Sequence, residues 1–341
     1  MKSEEYDFQQ SKEEYRKFCR EDGNKLPIFM QDWYLDATVA DGAEWRVICI
    51  KENQKIVAVF PFQYEKIRTR FGIQLYKIRN TFQMVHGGIW IDDSGCNTTG
   101  KREKYLIEKV NQVIEQLPYY DSLVTKFDLP FMDWTPLYWK GFKQTTYYTY
   151  IMDPQNYDRD EEKLFRSFRA DRKRNIKKAE QLYTVDRSLT GEDFYNLLDS
   201  TYIEKEKQIS YSYGQFRNLD KAISEHDAGI VYGARDKKGV VVAASYIFCE
   251  EKRRYNMFVA FKQGVRGALE LTTWYGMRDC LRNNIIFDFE GSMIPGVSEY
   301  NRGFYVEKKP YYVISDCSNK MKVVEGFQLI REGIKKKGTR T

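Results

Sequence analysis

The sequence predicts a mixed α/β fold in two tandem domains of similar plan. Three observations carry that expectation. A pair of strand-like segments joined by a short polar turn occurs at residues 45–51 and 55–61, and again at 228–235 and 239–249. Each pair is followed by a further strand and an amphipathic helix. Between the halves lies the polar, turn-rich stretch Asp153-Pro154-Gln155-Asn156. The expected division is residues 1–152, joined by a final helix over 318–341, and residues 153–317. At 341 residues with 42% hydrophobic content, the chain is long enough to bury two such cores.

In chain order, the first strand pair turns at Glu52-Asn53-Gln54. Strands are expected at 75–78 and 88–91, then a helix at 101–117 with Leu106, Val110, Val113 and Leu117 on one face. A helix is expected over 161–182, because Phe165, Phe168, Ile176, Ala179 and Leu182 make an apolar stripe. The second strand pair turns at Asp236-Lys237-Lys238, and a strand at 254–261 leads into a helix over 267–283. Residues 285–290 alternate Ile285, Phe287 and Phe289 with Ile286, Asp288 and Glu290, which predicts a strand turning polar at its carboxyl end. Gly291 then permits a tight bend, Pro295-Gly296 mark a second turn, and a strand at 311–314 and a helix at 323–337 complete the chain.

Composition excludes several classes. The formal charge of +6, from 55 basic and 49 acidic residues, is too small for a dedicated nucleic-acid binder, and no DNA partner is expected. Basic residues instead gather at 166–178 and at 335–340, the latter reading as a solvated terminus. Six scattered cysteines without a C-x-x-C pair, and two histidines, His86 and His226, support neither a disulfide framework nor a metal site. Both histidines are expected in structural or surface roles. The longest apolar run, at 240–249, is too short to span a bilayer, and the amino-terminal residues lack a signal-peptide core. A cytoplasmic protein is expected.

Chemistry is expected at the end of strand 285–290, where Asp288 and Glu290 meet a turn. Ligands of open α/β sheets gather there, while solvated acids on an edge strand are the plainer reading. In helix 161–182, Arg172 lies four residues from both Phe168 and Ile176, with Asn175 near the same face. A buried guanidinium needs an internal carboxylate or an anionic ligand, unless a break near Ala170-Asp171 rotates it outward. Lys262-Gln263-Gly264-Val265-Arg266-Gly267-Ala268 lies between a strand and a helix, where backbone N–H groups can approach phosphate, although a plain turn explains its glycines nearly as well.

The run Arg172-Lys173-Arg174-Asn175-Ile176-Lys177-Lys178-Ala179-Glu180, with residues 287–292, Pro295-Gly296 and Tyr300-Asn301-Arg302-Gly303-Phe304, resembles the FemABX-like branch of the GNAT (acyl-CoA N-acyltransferase) superfamily. The resemblance implies two GNAT-like domains in an armless form, the last helix returning to the first domain. It implies an acyltransferase acting on an amine or hydroxyl of a sugar, an envelope precursor or another small acceptor, possible donors being acyl-CoA and aminoacyl-tRNA. FemABX members use aminoacyl-tRNA and a nucleotide-linked peptidoglycan precursor; a non-catalytic ligand-binding protein of the same fold is the third alternative. GNAT enzymes hold the cofactor pyrophosphate with a Q/R-x-x-G-x-G/A loop, which assigns Gln263, Arg266 and Gly267 to the cofactor, though Gln263 and Gly267 stand one residue too far apart. Glu290 or Asp288 becomes the base or acceptor-orienting carboxylate, Asn301 or a backbone N–H the oxyanion donor, and Arg172, Arg302 and Ser292 the substrate contacts. Asn301 stands where tRNA-dependent members carry a lysine.

Overall fold

The computed structural model describes residues 6–326 apart from 130, 132, 205 and 207. Two compact units emerge, one made by the chain up to residue 146 and again from 311, the other by residues 147–310. The first unit takes α1 (Phe8–Asp22), α2 (Asp32–Thr38), β1 (Glu44–Glu52), β2 (Lys55–Arg68), β3 (Gln74–Arg79), β4 (Trp90–Ile91), α3 (Thr99–Glu115), β5 (Ser122–Lys126) and α4 (Thr135–Trp139). β6 (Lys143–Met152) leads from the first into the second, which continues through α5 (Glu161–Ser167), α6 (Ala170–Leu182), β7 (Thr184–Asp186), α7 (Gly191–Glu204), α8 (Tyr213–Glu225), β8 (Gly229–Arg235), β9 (Val241–Cys249), β10 (Arg253–Phe261), α9 (Ala268–Arg282), β11 (Ile286–Asp288) and α10 (Pro295–Arg302). β12 (Glu307–Cys317) then carries the chain back into the first unit.

In the first unit the strand order is β1-β2-β3-β5-β12, with β4 on β2. β1 and β2 pair antiparallel from Glu44↔Tyr64 to Glu52↔Lys55. Their two-residue turn needs positive φ at both positions, and Asn53 and Gln54 adopt it at 47° and 66°. α3 lays Val110 and Val113 on a core with Ile48, Phe60, Phe62, Ile78, Leu123 and Ile314. Residues 319–326 are helical, and Met321 and Val324 pack on Leu75 of β3. The rest of the helix expected at 323–337, and the basic tail, lie outside the described residues.

In the second unit the order is β6-β11-β10-β9-β8-β7. Among its described strands only β10 and β11 run parallel; the other described pairs are antiparallel. Its core gathers Tyr150, Met152, Phe168, Ile176, Ile247, Trp274, Phe287, Phe289 and Phe304. The mixed α/β class expected from the sequence is the one observed.

Three local expectations change. The helix at 161–182 is two helices, because Phe168 and Arg169 take extended backbone with ψ of 152° and 145°. Arg172 nevertheless stays buried, since α6 restarts with Arg172, Ile176 and Ala179 on its own inward face, while Leu182 at its end is exposed. The strand at 285–290 stops at Asp288, because Glu290 bends the chain at φ 54°. Pro295 and Gly296 do not form a turn but open α10, where proline's missing N–H is no loss and its fixed φ suits the first helical position. Among the described residues no helix is long and apolar enough to cross a membrane.

Candidate functional site

The parallel pair in the second unit opens like a wedge. β10 and β11 pair over Arg253↔Ile286, Arg254↔Phe287 and Tyr255↔Asp288, and no further. One residue later the pairing of β10 with β9 slips between Asn256 and Phe258, a bulge that turns the strand where its other partner ends. Such an opening past the carboxyl end of a strand is where α/β sheets admit ligands. Asn256 is buried at the bulge, and its Oδ1 has no hydrogen-bond donor among the described residues. A buried polar atom left so costs about 1–3 kcal/mol, which a ligand can return.

At the end of β11, Asp288 is fully buried. Its Oδ1 accepts hydrogen bonds from the Thr149 hydroxyl and from the Glu290 N–H at 2.8 Å, and its Oδ2 accepts from Arg253 Nε at 3.0 Å and from Arg253 Nη2. Thr149 Oγ1 in turn accepts from Gly291 N–H at 2.9 Å. The net pins the bend to β6 so closely that a Cβ on Gly291 would lie 1.8 Å from the Tyr148 carbonyl oxygen. Asp288 thereby shapes the turn. Glu290 sits just past it, half-buried, in left-handed backbone that costs a non-glycine residue roughly 1–2 kcal/mol. Ser292 Oγ accepts from Ile294 N–H at 3.0 Å and fixes the next bend.

Beside this turn, α6, α9 and α10 meet around Arg172. Its guanidinium Nη1 donates to Glu270 Oε1 at 2.6 Å and lies over the Tyr300 ring at 4.7 Å, with Nη2 at 3.5 Å from the Tyr300 carbonyl. Asn175 Nδ2 donates to the same Glu270 oxygen at 3.1 Å, and Thr273 Oγ1 meets the Tyr300 hydroxyl at 2.9 Å. Burial pushes the Tyr300 hydroxyl pKa upward. The partner that a buried Arg172 requires is therefore an internal carboxylate. Arg169 reaches from α6's first turn to Asp171 and to Glu299 of α10, and its hydrogen bonds hold Asp171 at about 2.

The α9 start is closed by the same packing. Gly267 caps it at φ 79°, and a Cβ there would stand 2.5 Å from the Asn175 carbonyl oxygen of α6. Ala268, Leu269 and Glu270 are buried, so a carboxylate already occupies the positive end of the helix. Gln263 and Arg266 are exposed on the preceding loop, away from Gly267's packed side.

Asn301 occupies the last turn of α10, 3% exposed, and its Nδ2 has no acceptor among the described residues. Phe304 ties that turn to the strand end, its ring 5.0 Å from Phe289 and 5.5 Å from Tyr300. Arg302 is exposed and paired with Glu299. Elsewhere, His86 is buried in the first unit near Asp128, at 3.4 Å, and His226 ends α8 with Nδ1 2.9 Å from the Ala222 carbonyl. Arg174, Lys177 and Lys178 form a solvated face.

Sequence reasoning missed Thr149, Arg253, Asn256 and Glu270. Two of these left a trace: Asn256 is an amide inside an aromatic strand, and Glu270 is a single acid in the run Ala268-Leu269-Glu270-Leu271. Thr149 and Arg253 left none, because their partner lies more than a hundred residues away for one and thirty-five for the other.

No family model and no curated protein matches the chain. Solved structures do. FemX aligns with a TM-score of 0.63 at 13% identity, covering 88% of this chain and 95% of its own. The C-terminal domain of a proposed lysylphosphatidylglycerol synthetase from Agrobacterium fabrum aligns at 0.53 and 9% identity, covering 92% and 95%. A conserved protein of unknown function from Bacteroides thetaiotaomicron aligns at 0.51 and 12% identity, covering 84% and 90%. The chain shares the FemX-like fold that its sequence led us to expect.

Proposed function

We propose that the protein is an acyltransferase of the aminoacyl type, moving an aminoacyl group from an ester donor such as aminoacyl-tRNA to an amine or hydroxyl of a small, nucleotide-linked acceptor. The observation that carries this reading is the buried Asn301 amide, a hydrogen-bond donor without an acceptor on the helix tied to the strand-end turn. In the reaction the acceptor nitrogen or oxygen attacks the carbonyl carbon, and the carbonyl electrons move to oxygen. Asn301 Nδ2 donates to that developing oxyanion. Glu290 takes the proton released by the nucleophile, and collapse of the intermediate breaks the ester C–O bond and expels the donor's alkoxide, which takes that proton back from Glu290. A positioned base contributes roughly 10²- to 10⁴-fold, and one oxyanion donor about 10²- to 10³-fold. Arg172, held by Glu270, positions α10 instead of binding free anion, and Arg302 and Ser292 at the exposed rim remain the acceptor contacts.

The choice of donor is supported by the packing of the α9 start, where Gly267 lies against α6 and the Glu270 carboxylate is buried close by. FemX-like folding and the exposed bases Arg174, Lys177 and Lys178 of α6 agree with an RNA-borne donor. Acyl-CoA is the second reading, favoured by the open space around Gly264 on the loop with Gln263 and Arg266. Purified protein with charged tRNA and an amine acceptor should release tRNA in an acceptor-dependent way, and Asn301→Leu should slow this about 10²- to 10³-fold. Consumption of acetyl-CoA thioester in place of the tRNA ester would reverse the assignment. Turnover of neither donor would leave the non-catalytic alternative.

A further inference from the structure

Two amides of the second unit, Asn256 and Asn301, are 7% and 3% exposed, and neither side chain makes a hydrogen bond among the described residues. The atoms left fully buried are complementary, an acceptor in Asn256 Oδ1 and a donor in Asn301 Nδ2. Asparagines that serve the fold use at least one end: Asn80 of the first unit accepts from the Lys126 N–H at 2.9 Å, and Asn175 donates to Glu270 at 3.1 Å. A leucine would fill the place of Asn256 without an unsatisfied amide, so packing alone does not account for the residue.

Register places both amides beside one core. Asn256 is the first residue of β10 beyond its last parallel pair, Tyr255↔Asp288. It pairs with Ile247 of β9, so the two side chains leave the sheet on the same face, and Ile247 belongs to the core of Phe287, Phe289 and Phe304. Asn301 meets that core from α10: its carbonyl accepts the Phe304 N–H at 3.1 Å, and the Phe304 ring lies 5.0 Å from Phe289. Acceptor and donor thus converge on the end of β11, where the strands part.

The two orphaned atoms ask for a group that both accepts and donates. A simple acyl group accepts through its carbonyl oxygen and donates nothing. An α-aminoacyl group carries the same oxygen and, on the adjacent carbon, an amine. With Asn301 Nδ2 on the carbonyl oxygen, Asn256 Oδ1 remains for the amine. Asp288, the buried carboxylate at this opening, is already engaged by Arg253, Thr149 and the Glu290 N–H. A site with a buried group awaiting a hydrogen bond rejects analogues that lack the partner more sharply than an apolar pocket rejects by size.

We propose that Asn256 determines donor specificity, its Oδ1 accepting a hydrogen bond from the α-amine of an aminoacyl ester. The inference rests on the acyl-transfer reading and narrows it to α-aminoacyl groups. Titration calorimetry of the full chain tests it with two unreactive probes, the trinucleotide CCA bearing alanine through a terminal amide, and the same trinucleotide bearing propionate, which differs only in lacking the amine. The alanyl probe should bind about tenfold tighter or more. Asn256→Leu should bring the alanyl probe down to the propionyl one and leave the propionyl affinity unchanged, with a melting curve no worse than the parent's. Asn256→Asp keeps an acceptor and should keep the preference. Equal affinities in the parent, or a preference that survives in Asn256→Leu, would overturn the role of Asn256 and leave the acyl-transfer reading standing. Binding of neither probe would overturn this inference together with the RNA-borne donor.

Discussion

Replacing Glu270 by alanine leaves the Arg172 guanidinium buried without its carboxylate. Removing one partner of a buried ion pair costs about 3–5 kcal/mol. Both side chains keep 11% exposure, and Arg172 retains the Tyr300 ring face and carbonyl, which places the expected loss near the lower end, about 3 kcal/mol. For a unit of this size that is a fall in Tm of roughly 6–12 °C. Glu270→Gln keeps an acceptor for Arg172 and Asn175 and should cost only about 1–2 kcal/mol. The double variant Arg172→Met with Glu270→Leu removes both charges and should lie within about 1 kcal/mol of the parent. Urea unfolding followed by fluorescence suits the comparison, because Trp274, the one tryptophan between residues 147 and 310, packs 5.4 Å from Phe168 in the same core. A cost below about 1 kcal/mol for the alanine variant, or a double variant as unstable as the single one, would refute the assignment of Arg172 to an internal partner.

Gly291→Ala drives a methyl group into the Tyr148 carbonyl, so the strand-end turn must shift, stability should fall by roughly 2–4 kcal/mol, and transfer activity should disappear in a rate assay. Gln54→Gly relieves left-handed backbone at φ 66° and should raise stability by about 1 kcal/mol in urea titrations; an unchanged midpoint would count against a strained turn. Asp220 titrates with the opposite sign to most carboxylates. Burial raises its pKa from the ordinary 3.8, so the folded chain holds the proton more tightly, and Asp220's contribution is complete below 3.8 and lost as pH rises through the raised value. Asp220→Asn should therefore stabilise the protein near neutrality, with the gain vanishing as melting is measured toward pH 3.8, and a pH-independent difference would contradict it.

The fold was legible where the sequence repeats a local pattern. Strand pairs, the helix at α3 and the strand-to-helix step at α9 all follow from alternation and periodicity that neighbouring residues carry. The site was less so, because its geometry depends on partners distant in sequence. Arg172 shows the limit: the stripe correctly marked it as inward, yet one continuous helix was the wrong frame, and only tertiary packing brings Glu270 to it. Asp288 and Glu290 looked like an equivalent pair. Burial, Arg253 and Thr149 make one a clamp and leave the other near the opening. Gly267 could be placed between strand and helix but not given a role, because a glycine that admits a ligand and one that admits a neighbouring helix leave the same letter in the sequence.

The strand order of the second unit also sets a schedule for synthesis. β6 ends at Met152, but the strand beside it, β11, begins only at Ile286. A ribosome adding about 5–20 residues per second needs roughly 7–27 s to bridge that interval. During it β6 has no β11 to pair with, and β10 lacks its parallel neighbour from the moment it emerges. β5 of the first unit waits longer still, for residues 313–317. Chains halted before residue 286 would present unfinished sheet edges, so nascent-chain aggregation, more than loss of activity, is the expected signature of a premature stop.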